Sequence, residues 1–206
     1  MSKIRIRTVS EPFDDRRSLP LGVQVLTRAE AMGILGKGAI DRLDASVWVN
    51  VLARIRRAGV GRHLPEVVPP AAGGREGFVR QLKQLNDALE ASPVPASEGP
   101  RLDKLLGREL LARLLRVSVV SLRRYLAGQR TVPDSVAARL HFLALVAGDL
   151  AGAYNDIGVR RWFDRPRTLL GGRSPAELLE PEWQPEDPGP RRVRDLARAL
   201  VWSPAT

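Results

Sequence analysis

Cysteine is absent from all 206 residues, which excludes disulfides, thiol catalysis and thiolate metal sites at once. Histidine occurs only as His63 and His141. His63 lies in a Gly- and Pro-rich stretch and His141 beside Phe142 on an apolar run, so each is expected to be structural or solvated, not a metal ligand. No uninterrupted apolar run reaches the length of a membrane span, and no signal-peptide core follows the basic start. No nucleophile–base pair stands out, and the glycines of GVGRH and GGRSP lack the strand-to-helix setting of a phosphate loop. These absences predict a soluble, cytoplasmic, non-enzymatic chain with no metal, cofactor or membrane partner.

Positive charge is what the chain has in excess, with 33 Lys or Arg against 23 Asp or Glu and a formal net charge of +10. That favours an anionic partner, either nucleic acid or an acidic protein. A G+C-rich coding sequence would raise arginine everywhere, so the placement of charge says more than its total. Between Arg101 and Arg130, eight Lys or Arg (101, 104, 108, 113, 116, 123, 124 and 130) face only Asp103 and Glu109, a local excess of six.

The same stretch carries the spacing of a helix-turn-helix. Leu110, Leu111, Leu114 and Leu115 recur at helical spacing, Ser118 is placed to cap a second helix after a short turn, and Leu122 returns an apolar side chain to the first. The other face of that second helix presents Val119, Val120, Ser121 and Arg124, flanked by Arg123 and Tyr125, while Gly128 stops it and Gln129 and Arg130 follow. Arginine reads guanine edges or holds phosphates, hydroxyls such as Ser118 and amides bond phosphate oxygens, and valine methyls touch thymine methyls. A solvated helical hairpin is the plainer reading of such a charge run.

Leu111, Ala112, Leu115, Val117, Ser118, Leu122, Leu126, Gly128 and Pro133 together resemble the Xre/Cro-type helix-turn-helix, with the pattern LAxxLxVSxxxLxxxLxG and a proline in the loop beyond. Arg116 stands where that family often has glycine, so the turn must tolerate a side chain.

Elsewhere the chain reads as mostly helical. Residues 1–26 alternate weakly at KIRIRTV and again at GVQVL, which predicts an arm or a short strand pair. Thr27 and Glu30 suggest a capping box for a short helix stopping at Gly33 to Gly38. A helix over about 44–58 is expected from Val47, Trp48, Val51, Leu52 and Ile55, and another from Phe78, Leu82, Leu85 and Leu89, with a loop over 59–74 between them. SPVPASEGP, residues 92–100, reads as a linker. The expected organisation is therefore an N-terminal region 1–91 of unassigned role, the linker 92–100, the helix-turn-helix 101–150 with a long apolar helix from Asp134, and a small helical domain 151–206.

Within that last region, Gly171 and Gly172 permit a tight turn, Ser174 caps a helix with Pro175 at its first position and Glu177 at its third, and Leu178 and Leu179 dock it. The last helix, RRVRDLARALVW, separates Val193, Leu196, Ala197 and Leu200 from Arg191, Arg192, Arg194 and Arg198. The series Trp162, Pro166, Leu170, Gly171, Gly172, Arg173, Ser174, Pro175, Leu178 and Leu179 resembles the toxin-binding domain of the Xre/MbcA/ParS-type antitoxins. The likeness covers about residues 102–206. The loop WQPEDPGP is more proline-rich than the family pattern, and Val201, Trp202 and Ser203 replace its customary His-Gly.

The resemblance implies an all-α antitoxin that represses its own operon by binding double-stranded promoter DNA, and that neutralises a cognate RES-type, NAD-consuming toxin as a homodimer within a hetero-oligomer. Trp162, Arg173, Arg191, Arg194, Arg198 and Trp202 are the toxin-facing residues expected on that basis, since Arg and Trp dominate interface energetics. The alternative is a stand-alone transcription regulator whose C-terminal domain dimerises or binds another partner. Catalysis hidden in residues 1–91 is a third, remote reading.

Overall fold

The computed structural model describes residues 4–36, 38–64, 74–179 and 182–201. Ten α-helices and one two-stranded sheet make up these residues, as expected of a largely all-α chain.

Strand β1 (Ile4–Val9) pairs in parallel with β2 (Ile40–Leu43), Val9 opposite Leu43. Parallel strands need a crossover, and helix α1 (Ser18–Ala31) supplies it. The expected pairing of KIRIRTV with GVQVL is therefore corrected: GVQVL lies inside α1, where Gly22, Val25, Leu26 and Ala29 are buried at helical spacing. The helix starts at Ser18, well before Thr27. Its start is held by the Asp15 carboxylate, which accepts from the backbone N–H groups of Arg17 at 2.7 Å and Ser18 at 3.0 Å. Thr27 and Glu30 form no cap; the Thr27 hydroxyl donates to the Gln24 carbonyl, and Glu30, 4% exposed, pairs with Arg101 at 2.7 Å.

Helices α2 (Ala45–Arg57) and α3 (Arg75–Ala91) follow the apolar periodicity and bury Trp48, Val51, Leu52, Ile55, Phe78, Leu82, Leu85 and Leu89. Phe13 joins Trp48 and Phe78 edge to face, at ring-centroid distances of 5.0 and 5.4 Å. The loop expected over 59–74 lies partly outside the described residues, and its described start, residues 59–64, is a series of turns.

Residues 95–100 are the first half of α4 (Pro95–Leu106), where a linker was expected. Pro95 occupies the first helical position, and the Glu98 carboxylate reaches back to the Val94 N–H at 3.2 Å, so the stretch begins a helix despite its prolines. Glu98 is fully buried and meets His141 Nδ1 at 2.7 Å, while His141 Nε2 lies 2.8 Å from the Glu90 carbonyl oxygen. The stretch is pinned into the core, and His141 is structural.

Helix α7 (Asp134–Leu150) is the centre of the molecule, buried around nearly its whole circumference from Arg139 onward. It packs against α1, α4 and a C-terminal helix, α10 (Pro188–Val201). At Gly148 helices α7 and α1 run close together, and a Cβ there would be in ordinary contact with Ala31 Cβ at 3.4 Å. One cluster of buried side chains runs from Phe13 through Leu143 to Ala197.

Candidate nucleic-acid interface

Helices α5 (Arg108–Leu115) and α6 (Val119–Leu126) are joined by three residues. Arg116 adopts φ 59°, ψ 41°, the left-handed conformation that glycine supplies most easily, and it is the only non-glycine with positive φ among the described residues. The turn thus keeps a glycine-like path with arginine in place. Ser118 caps α6, its hydroxyl accepting from the Ser121 N–H at 3.0 Å and lying 3.0 Å from the Ser121 hydroxyl. Leu122 is 1% exposed and fastens α6 to the core.

The turn is anchored from a distance. The last carbonyls of α5 have no partner within the helix. Trp183 Nε1 donates to the Leu114 carbonyl at 2.9 Å, and Arg139 donates to the Leu115 carbonyl at 3.2 Å and to the Trp183 carbonyl at 2.8 Å. The position of α6 is therefore fixed by α7 and by Trp183. Neither Arg139 nor Trp183 was singled out from sequence, because their partners lie 24 and 69 residues away.

The outward face of α6 carries Val119, 42% exposed, Val120, 50% exposed, and the exposed Arg123 and Arg124, with Ser121 half-buried among them. Arg123 and Arg124 have no ion-pair partner among the described residues. Arg130, beyond the exposed Gln129, stacks over Tyr125 with 5.6 Å from guanidinium to ring centre. By contrast Arg101, Arg108 and Arg113 are engaged by Glu30, Asp103 and Asp164. The charge excess of residues 101–130 is thus concentrated at the edge formed by α6 and its following loop, where two apolar valines and unpaired guanidinium groups stand side by side.

The C-terminal segments divide the residues expected to face a toxin. Helix α8 (Asp156–Asp164) is capped by Asn155, whose side-chain oxygen accepts from the Gly158 N–H at 2.8 Å. A 3-10 turn over Thr168–Leu170 leads into Gly171 and Gly172, at φ 71° and 79°, and then into α9 (Pro175–Leu178). The expected capping box is present, the Ser174 hydroxyl accepting from the Glu177 N–H while the Glu177 carboxylate accepts from the Ser174 N–H. These bonds hold the Glu177 carboxyl below the usual carboxylate range. Arg173 and Arg191 are exposed, and Arg198 is partly exposed with its guanidinium on Glu90.

Two expectations are corrected here. Trp162 is 1% exposed and belongs to the core. Arg194, expected on the solvent side of α10, is 7% exposed and pairs with Asp149 at 2.7 Å and Glu90 at 3.4 Å. Arg28 joins this cluster through Glu90 at 3.3 Å. Burial brings the Arg28 guanidinium down to about 10, and burial also raises the Asp149 carboxyl above the usual range, outweighing the opposing pull of Arg194. Trp202 lies outside the described residues.

Among the described residues no group of His, Cys, Asp and Glu is arranged to hold a metal ion, and no helix is long and apolar enough to cross a membrane. Comparison with protein-family models, curated proteins and solved structures finds no match for this chain.

Proposed function

We propose that the chain is a type II antitoxin: it represses its own operon through α6 and neutralises a RES-type, NAD-consuming toxin through the exposed face of its C-terminal half. The observation that carries the reading is the α6 edge. Helices α5 and α6, joined through a left-handed turn, support a helix-turn-helix reading, and the face turned away from Leu122 offers Val119, Val120, Ser121, Arg123 and Arg124 without competing carboxylates. That combination of methyl, hydroxyl and guanidinium groups suits base edges and phosphates in a major groove. Two copies on an inverted site would set their reading helices about 34 Å apart.

The toxin half draws on the likeness of the Trp162 to Leu179 string and on the exposed Arg173 and Arg191, held by the capped Gly-Gly turn and the start of α10. The chain acts here by binding alone. Co-expression with a RES-type toxin encoded in the adjacent reading frame tests this half. The double variant Arg173→Glu, Arg191→Glu is expected to release toxicity while promoter binding stays near that of the parent, since both side chains are exposed and lie outside α6. Full protection by the double variant would remove these residues from the neutralising surface. A stand-alone regulator is the second reading, favoured by the burial of Trp162 and Arg194, and it requires that no toxin co-purify with the chain.

A further inference from the structure

Beside α8 lies a cleft of about 260 Å³ walled by Tyr154, Ile157, Arg161, Trp162, Arg165 and Arg167. Two buried polar atoms of its wall residues have no hydrogen-bond partner, Trp162 Nε1 and Arg167 Nε. The two side chains are stacked, with the Arg167 guanidinium 5.5 Å from the Trp162 ring centre. The neighbouring cations are engaged, Arg113 with Asp164 and Arg160 with the carbonyls of Leu105 and Lys104. Arg161, Arg165 and Arg167 have no ion-pair partner among the described residues, and no carboxylate lines the cleft.

The cleft therefore offers guanidinium donors with no anionic acceptor of its own. Among its wall residues Ile157 is an apolar side chain 59% exposed. Duplex phosphates ride on a convex ridge and have nothing to set against Ile157, whereas an acidic side chain flanked by an apolar one fits both the recess and its rim.

We propose that this cleft receives an aspartate or glutamate side chain of a protein partner. The Arg167 guanidinium donates to the carboxylate, Arg161 and Arg165 lie beside it, the buried Trp162 ring closes the floor, and Ile157 packs on an adjacent apolar residue of that partner. The proposal rests on the C-terminal half being a partner-binding surface, and it adds to Trp162, expected there from sequence, the recess formed with Arg161, Arg165 and Arg167.

The test is a titration of the ¹⁵N-labelled full chain with glutarate, at ionic strength held constant with chloride, following the Trp162 indole N–H resonance. A saturable shift is expected, with affinity at least fivefold weaker in Arg167→Gln and in the double variant Arg161→Gln, Arg165→Gln, and unchanged in Arg80→Gln, an exposed arginine of α3. Backbone amide signals away from α8 report that each variant is folded. A response no larger than that to chloride, or equal affinity in Arg167→Gln, overturns the proposal. A response to inorganic phosphate without one to glutarate also overturns it, in favour of a nucleic-acid backbone contact. Because the probe is a free dicarboxylate, failure here removes the cleft and leaves the antitoxin reading to its own co-expression test.

Discussion

Arg116 holds the turn between α5 and α6 in a conformation that disfavours side chains branched at Cβ. Arg116→Val is therefore expected to destabilise the chain by about 1–2 kcal/mol, while Arg116→Gly stays within about 1 kcal/mol of the parent. Urea unfolding of the two variants checks this; equal stabilities would mean that the turn relaxes out of the left-handed region. Asp44 gives a second prediction at this scale. Its carboxylate caps α2 by accepting from the Val47 N–H at 2.9 Å and from the Ser46 hydroxyl at 2.8 Å, which holds its pKa below the usual range. A carboxylate with a depressed folded-state pKa adds stability that is present above its unfolded value of about 3.9 and disappears as pH falls through the lower folded value. Asp44→Ala is thus expected to cost about 1 kcal/mol at neutral pH. Its deficit should shrink in acid below pH ~4 in a pH series of thermal unfolding, and a pH-independent deficit would contradict the cap.

At the scale of elements, α2, α3, α5, α6, α7 and α10 were legible because each repeats apolar residues at helical spacing and carries a cap or stop beside the run. Helices α1 and α4 were not. Pro20 and Pro100 lie within them, and α4 owes part of its place to the buried Glu98–His141 contact, 43 residues apart, which no local pattern records. Helix α10 shows the opposite case: its span follows from the apolar spacing, but part of its polar face is buried. Arg194 turns inward because Asp149 and Glu90 meet it there. Breaking a buried pair leaves an uncompensated charge, so Arg194→Ala is expected to cost about 3–5 kcal/mol, whereas Arg191→Ala stays within about 0.5 kcal/mol. Similar losses for the two in chemical denaturation would place Arg194 at the surface after all.

On the scale of the whole molecule, the N-terminal helices and the C-terminal ones share α7, so the α6 edge is set by contacts from several parts of the chain. Residues 4–36, 38–64 and 74–91 contribute to the core behind the proposed DNA reader, and Trp183, beyond α9, donates to the Leu114 carbonyl near the end of α5. The outward face of α6 was legible from sequence, since cap, buried leucine and outward arginines follow from spacing alone. The Trp162 cleft was not, because its walls are defined by stacking and by unmet donors. The central claim is that α6 reads DNA. Fluorescence anisotropy on a duplex of the chain's own promoter, at one fixed salt concentration, tests it most directly with the parent, Ser121→Ala and Arg124→Ala. A weakening of about 1–3 kcal/mol is expected for Arg124→Ala if the arginine contacts a base edge, with relaxed preference at one position of the site, and less if it contacts phosphate. Unchanged affinity and unchanged sequence preference in both variants would contradict the assignment of α6 as the reading helix.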